Sequence, residues 1–264
     1  MSVMTTKTDR LIDRDWPIDP SNPKAYVLDR RLKKTRMSRA SWELQVQALN
    51  HLFGTYTGQN ASILEVACGT GFTLLELANC GFRTVGLEFD PALCRLVDEA
   101  ASTFTLSTRA IAADACKIPV ASGTFDAVYS QSFFEHVYDV DLAIREQIRV
   151  IRDGGVILIS DGNLMNPKVL FDLLVRYPIR TKGKHGGLKW LFNKGKIYEN
   201  LYGYLALGRD EDVKTVRWWT RKLSEFPELR ILEARTSAAD THPWLPRFFQ
   251  PFVGACHIVA CKEG

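Results

Sequence analysis

The chain has 264 residues, 46% hydrophobic and 24% charged, enough to bury one sizeable core and an insertion, without a clear case for two domains. Lys and Arg number 34 against 30 Asp and Glu, and a net charge of +4 is too mild to imply a nucleic-acid partner by itself. The six cysteines (68, 80, 94, 116, 256 and 261) form no C-x-x-C pair and no spacing with histidine, which argues against a disulfide framework or any metal site and predicts reduced thiols. No secretory segment opens the sequence and no apolar run approaches the ~20 residues that span a bilayer, so a soluble, cytoplasmic protein is expected.

Through Pro23 the chain is polar and carries three prolines, which predicts an extended arm. Residues Arg30 to Arg39 hold six basic side chains, read as a solvated helix end, with contact to an anionic partner as the alternative. Trp42, Val46, Leu49 and Phe53 recur at helical spacing and predict an amphipathic helix ending near Gly54. From Ser62 the pattern alternates. Strands are predicted at 62–67, 83–88, 107–113, 125–131 and 156–161, and helices at 72–79, 91 to about 101, and 141–152. Strands separated by helix-length segments imply right-handed crossovers, hence an α/β, Rossmann-like, doubly wound and mostly parallel sheet. Residues 163 to about 216 break the rhythm with an amphipathic piece and a Gly-, Lys- and aromatic-rich run. Lying just past the strand ends, this segment is read as a substrate lid. A helix near 218–226 and closing strands at 228–235 and 256–262 complete the pattern.

In open sheets of this kind ligands bind beyond the carboxyl ends of the strands. The turn I-L-E-V-A-C-G-T-G (Ile63 to Gly71), Glu88, Asp114 and Ser130 all fall at those ends. Gly69 and Gly71 let backbone pass close to a ligand, and an acid at the tip of the next strand can accept the hydroxyl protons of a ribose. A dinucleotide fingerprint would place a third glycine at position 74, which is leucine here, and no basic residue opens the helix, so pyrophosphate is disfavoured. Glu65, just before the turn, would repel phosphates and suits a cationic amine. S-adenosylmethionine offers ribose, adenine and amine without phosphate. A tight strand-to-helix turn in some other α/β protein is the alternative reading.

Five segments taken in order resemble the class I S-adenosylmethionine-dependent methyltransferases, most closely the small-molecule branch called type 11. They are E-V-A-C-G-T-G, G-L-E-F-D-P, A-D-A-C-K-I-P-V-A-S-G-T-F-D-A-V, F-E-H-V-Y-D and I-R-D-G-G-V-I-L-I-S, together spanning roughly Ser62 to Asp161. The resemblance implies a seven-stranded sheet with an antiparallel last strand at 256–262. It implies that Glu65 and the backbone of Gly69, Thr70 and Gly71 hold the methionyl part, and that Glu88 holds the ribose with Phe89 on one adenine face. It further implies that Asp114 accepts from the adenine amine, with Ala113 and Ala115 lining that pocket, and that Ser130 and Gln131 lie beside the sulfonium. Phe89 in the core, and Asp114 as a cap on the turn before Pro119, are the competing readings. A single domain over 1–264 is expected: arm and helix over 1–61, cofactor-binding core over 62–161, lid insertion over 162–217, closing helix and strands over 218–264.

Methyl transfer from a sulfonium is an in-line displacement, and a general base adds rate where the acceptor carries a proton. Of the five histidines, His136 lies on the rim after the fourth strand and is the candidate base; a structural or cofactor-side role is its alternative. His185 and His242 are weaker candidates, while His51 and His257 read as structural. The expected acceptor is an oxygen or nitrogen of a small hydrophobic or anionic metabolite. S-Q-S-F follows the fourth strand where base-methylating enzymes carry N-P-P-Y-like residues, so no strong nucleic-acid signal is present. Seven Lys/Arg between Arg176 and Lys196 occur without an acid, suiting an anionic substrate or peripheral membrane contact, or simply a solvated lid. A non-catalytic S-adenosylmethionine-binding protein and a NAD(P)-dependent oxidoreductase are the alternative functions.

Overall fold

The computed structural model describes residues 39–134, 136–163, 165–166, 214–237 and 255–264. The expected N-terminal arm, nearly all of the basic run from Arg30, His185, His242 and all but the two ends of the expected lid lie outside those residues. The described elements are α1 (Arg39–Tyr56), β1 (Ser62–Val66), α2 (Phe72–Asn79), β2 (Arg83–Glu88), α3 (Pro91–Thr103), β3 (Arg109–Ala112), β4 (Phe125–Gln131), α4 (Val140–Val150), β5 (Ile151–Asp161), α5 (Val216–Leu223), β6 (Leu229–Thr236) and β7 (Cys256–Lys262).

The strands form one seven-stranded sheet in the order β3-β2-β1-β4-β5-β7-β6. Pairing is parallel from β3 through β5, and β7 runs antiparallel to both β5 and β6, as the resemblance implies. Strand alternation builds two cores, one on each face. Leu64, Val66, Val128, Ile157, Ile159 and Ile258 face α4 and α5, where Ile144, Ile148, Trp219 and Leu223 meet them. Ile63, Ala127, Tyr129, Leu158 and Val259 face the other way, onto Leu49, Leu52 and Phe53 of α1 and Leu77 of α2. Reversal between β1 and β4 (strand order 2-1-4) opens a crevice at the carboxyl ends of these strands.

Caps explain where three helices start. Asp90 accepts the Ala92 N–H at 2.8 Å with Pro91 in the first turn of α3, Asp139 accepts Leu142 N–H at 2.9 Å for α4, and Thr215 accepts Trp218 N–H at 3.1 Å for α5. The third strand and the junction of α4 with β5 depart most from the sequence expectation. The third strand pairs only over Arg109–Ala112. α4 stops at Val150, and β5 already begins at Ile151, with a register shift against β4 between Phe125 and Ala127. Gly154 (φ 75°) and Gly155, which lie between the expected helix and strand, are an irregularity inside that strand. A Cβ at 155 would meet the Asp126 carbonyl oxygen at 2.8 Å and the Arg152 carbonyl oxygen at 2.9 Å.

Candidate active site

Between β1 and α2 the backbone enters the left-handed region three times, at Ala67 (φ 57°), Gly69 (57°) and Gly71 (77°). For Ala67 this conformation costs roughly 1–2 kcal/mol. The turn is fixed all the same: Cys68 N–H donates to Leu87 O at 3.1 Å and Gly71 N–H to Cys68 O at 2.9 Å. A Cβ on Gly71, the residue preceding α2, would meet Val97 Cγ2 at 2.7 Å. A Cβ on Gly69 would meet no heavy atom within 4 Å, so the space in front of it is open at the strand tip. Leu74, standing where a dinucleotide site needs glycine, is wholly buried against β2. The close approach is supplied from the strand side: a Cβ at Gly86 would meet Leu74 Cδ2 at 2.9 Å and Cys68 Sγ at 2.6 Å. Burial, first of all, pushes the Cys68 thiol well above its ordinary range, and the nearby Glu65 and Glu88 carboxylates add to it. It is a packing group, not a nucleophile.

Glu88 ends β2 with structural work that sequence reading did not assign to it. Its Oε2 accepts the Gly69 N–H at 2.9 Å, and its Oε1 accepts Phe89 N–H at 2.9 Å and Asp90 N–H at 3.2 Å. The carboxylate thus pins the glycine turn to the neighbouring strand. A carboxylate has about four lone-pair positions, so acceptor capacity remains for a ligand hydroxyl. Phe89 is 78% exposed, which rules out the core reading. Asp114 caps its own turn through Cys116 N–H at 2.8 Å and accepts the Tyr138 hydroxyl at 3.2 Å; Ala115 beside it is buried. The competing turn-cap geometry is therefore present, and Tyr138 is a partner of Asp114 missed from sequence, although its F-E-H-V-Y-D segment was legible.

Register decides which candidates share a face. Glu65 pairs with Gly86 and Tyr129, so buried Glu65 lies on the same sheet face as Glu88, two residues beyond Gly86 on β2. Gln131, two residues after Tyr129, joins that face, and its amide oxygen accepts the Tyr129 hydroxyl at 3.1 Å. Ser130 pairs with Val66 on the opposite face and is wholly covered, its hydroxyl meeting no hydrogen-bond partner among the described residues. Thr70 is buried within the glycine turn. His136 is exposed on the loop between β4 and α4, its backbone N–H bonded to Phe133 O at 2.9 Å. That loop is anchored beneath by buried Phe133 and Phe134, the latter edge-on to Trp219 with centroids 4.8 Å apart. Asp161 Oδ1 accepts the Phe133 N–H at 3.1 Å and ties the loop to the end of β5, a second role missed from sequence.

The family model described as a methyltransferase domain, type 11, matches residues 64–159, the segment that contains the glycine turn, Glu88, Asp114 and His136. Over this segment the chain is similar to the class I S-adenosylmethionine-dependent methyltransferases. Among curated relatives, a sterol 4-C-methyltransferase of Caenorhabditis elegans is 25% identical over 61% of this chain and 45% of its own length. A demethylmenaquinone methyltransferase of Mycolicibacterium vanbaalenii is 29% identical over 67% of this chain and 66% of its own. The chain thus spans about a third to two thirds of the length of the curated relatives it matches. An S-adenosylmethionine-dependent methyltransferase structure from Methanococcus maripaludis shares the fold at a TM-score of 0.54, with 15% identity over 89% of this chain and 90% of that one.

The residues of this segment fit S-adenosylmethionine, the methyl donor of the proteins it resembles, on their own chemistry. Open space lies before Gly69, Glu65 and Glu88 put two acids on the sheet face of the glycine turn, and α2 opens on Phe72 and Thr73 with no basic side chain. Among the described residues no group of three His, Cys, Asp or Glu could hold a metal ion, and no helix is long and apolar enough to cross a membrane.

Proposed function

We propose that this chain transfers a methyl group from S-adenosylmethionine to a small hydrophobic metabolite. The observation that carries the cofactor assignment is the acid pair, Glu65 and Glu88, on the turn's own sheet face beside the open space at Gly69. Bound there, the cofactor supplies an electrophilic methyl on sulfur, with the leaving thioether built in. Glu65 attracts the donor's ammonium, the Gly69–Gly71 backbone and Thr70 bound its methionyl part, and Glu88 accepts from the ribose. Phe89 offers its exposed ring to the adenine, Asp114 and Ala115 border the adenine edge, and Ser130 and Gln131 close the strand tips beside the methionyl chain. His136 accepts the acceptor's proton as the new bond forms, within the ~10²–10⁴-fold a placed base contributes. Alignment of acceptor, methyl and sulfur supplies the larger share.

The hydrophobic acceptor is supported by where apolar surface is exposed. Phe89, Tyr138, Leu142 and Met165 are the exposed large hydrophobics among the described residues, and all four follow the carboxyl ends of strands or open the helix after β4. Apolar surface gathered at one rim suits an apolar ligand. An oxygen or nitrogen acceptor is the first reading; the sterol 4-C-methyltransferase relative favours carbon as the second. The six free thiols fit a reducing, cytoplasmic setting. Contact of an anionic substrate or membrane with the basic lid rests on sequence alone.

Calorimetry with S-adenosylmethionine and its demethylated product should give binding of both. Methyl-labelled donor with extracted metabolites should then place label in the organic phase, and carbon-13 shifts of the product identify the accepting atom. Binding without transfer would reduce the chain to a cofactor-binding protein. No binding would remove the assignment, and a fluorescence change with reduced nicotinamide dinucleotide would replace it.

A further inference from the structure

At the amino ends of the strands, opposite the methyl-transfer rim, lies a cleft of about 510 Å³ lined by Arg83, Thr84, Val85, Ser107, Arg109 and Phe125 among others. It exists because the link from β3 to β4, residues 113–124, forms no helix and leaves that part of the sheet uncovered. Parallel pairing of Val85 with Arg109 puts Arg83 and Arg109 on one face of adjacent strands. Their Cα atoms are diagonal neighbours about 8 Å apart, so two guanidinium forks can converge on one group. Among the described residues no acid lines the cleft. Asp126 borders it, but its carboxylate is taken by Ser62 (N–H at 2.6 Å, hydroxyl at 2.7 Å) and by Arg152 Nε at 2.6 Å; Arg83 stands off at 4.0 Å. Arg83 Nε is held by the Asn60 carbonyl at 3.2 Å, and Arg109 has no ion pair or side-chain hydrogen bond among the described residues. Two exposed guanidiniums, Arg83 only at the edge of ion-pair distance from Asp126, stand beside hydroxyls over an apolar floor of Val85 and Phe125 and match a planar-fork anion such as phosphate.

We propose that this cleft is a second ligand site, taking the phosphate or diphosphate group of a small soluble molecule. Strands of about five residues at ~3.3 Å each separate it from the cofactor rim by about 15–20 Å, so it does not serve the methyl acceptor.

Inorganic diphosphate is the probe, titrated at low ionic strength with heat release and melting temperature as readouts. Saturable binding is expected, weakened at least tenfold by Arg83→Gln or Arg109→Gln. The pair Arg83→Lys and Arg109→Lys, which keeps charge but loses the forks, should fall in between. Both side chains are exposed, so the fold should survive; Arg230→Gln, at an exposed arginine paired with Glu263 elsewhere, should bind like the parent chain. Non-saturable binding, or equal loss in Arg230→Gln, would overturn the proposal. So would diphosphate failing while single-stranded RNA or phosphatidic acid vesicles bind in an Arg83- and Arg109-dependent way, since the face would then be a macromolecular surface. Because no cofactor enters the assay, its failure leaves the methyltransferase reading untouched.

Discussion

At the scale of single residues, Glu88 fixes the Gly69 amide with the same carboxylate that is proposed to hold a ribose. Glu88→Ala should abolish cofactor binding in calorimetry. It should also lower stability by about 1–3 kcal/mol in urea, the cost of orphaning amides that a charged acceptor had satisfied. Affinity retained within a few-fold would contradict the ribose placement even if stability fell. His136 separates the two roles, since its imidazole is exposed and carries no visible structural load. His136→Ala should therefore leave binding intact while slowing turnover by ~10²–10⁴-fold. An unchanged rate takes the residue out of catalysis. The candidates differ in legibility for physical reasons. A carboxylate ending an apolar strand announces itself. Whether a polar residue faces ligand or core, as with buried Ser130, depends on strand parity and on what covers that face.

Among the elements, the glycine turn and α2 work only because glycines on different elements make room for them. Gly71→Ala meets Val97 and also takes a left-handed φ, and Gly86→Ala meets Cys68 and Leu74. Each should cost about 1–3 kcal/mol by overpacking, with the left-handed strain added only at 71. Val97→Ala in the Gly71→Ala background should recover the packing part and leave the strain, a coupling that urea unfolding of the four proteins would show. Strict additivity would mean the contact relaxes without cost. Element type was legible where the apolar pattern was clear: 72–79, 83–88 and 125–131 match the observed α2, β2 and β4. It failed where pairing overrode local signals. Gly154 and Gly155 carry a turn signature, yet β5 continues through them because β4 offers a partner at Phe125. At the third strand the ends were overcalled because β2 pairs with it only as far as Arg109 and Ala112. The antiparallel placement of β7 was legible only through family resemblance, since no local signal encodes strand order.

On the scale of the whole molecule, carboxylates bridge pieces distant in sequence, and their ionisation ties the fold to pH. Glu146 on α4 accepts the Ile118 N–H and both Nε and Nη2 of Arg149, while Arg149 donates to Val120 O and Ile118 O. This clamp holds the loop that carries Asp114 against α4. The Arg149 bonds hold the Glu146 carboxyl below its usual range, with burial opposing. Burial pushes Asp126 up, but Ser62, Arg152 and Arg83 outweigh it and leave it low. Burial likewise raises Glu233, and the Tyr56 hydroxyl at 2.6 Å together with Arg235 brings it down, tying α1 to β6. All three folded values lie below unfolded values of 3.8 for Asp and 4.5 for Glu. The folded state therefore binds fewer protons than the unfolded chain across that window. Their stabilisation is complete above about pH 5 and is lost as pH falls through the lowered folded values. Urea midpoints measured from pH 7 to pH 2.5 should be flat at first and drop below about pH 4.5. Arg149→Met should lower the neutral plateau and make the acid fall shallower, because Glu146 then titrates nearer its unfolded value. A plateau lowered with the same slope would mean that Arg149 acts through its two carbonyl contacts alone, and Glu146→Gln would then leave the acid limb as it is in the parent chain.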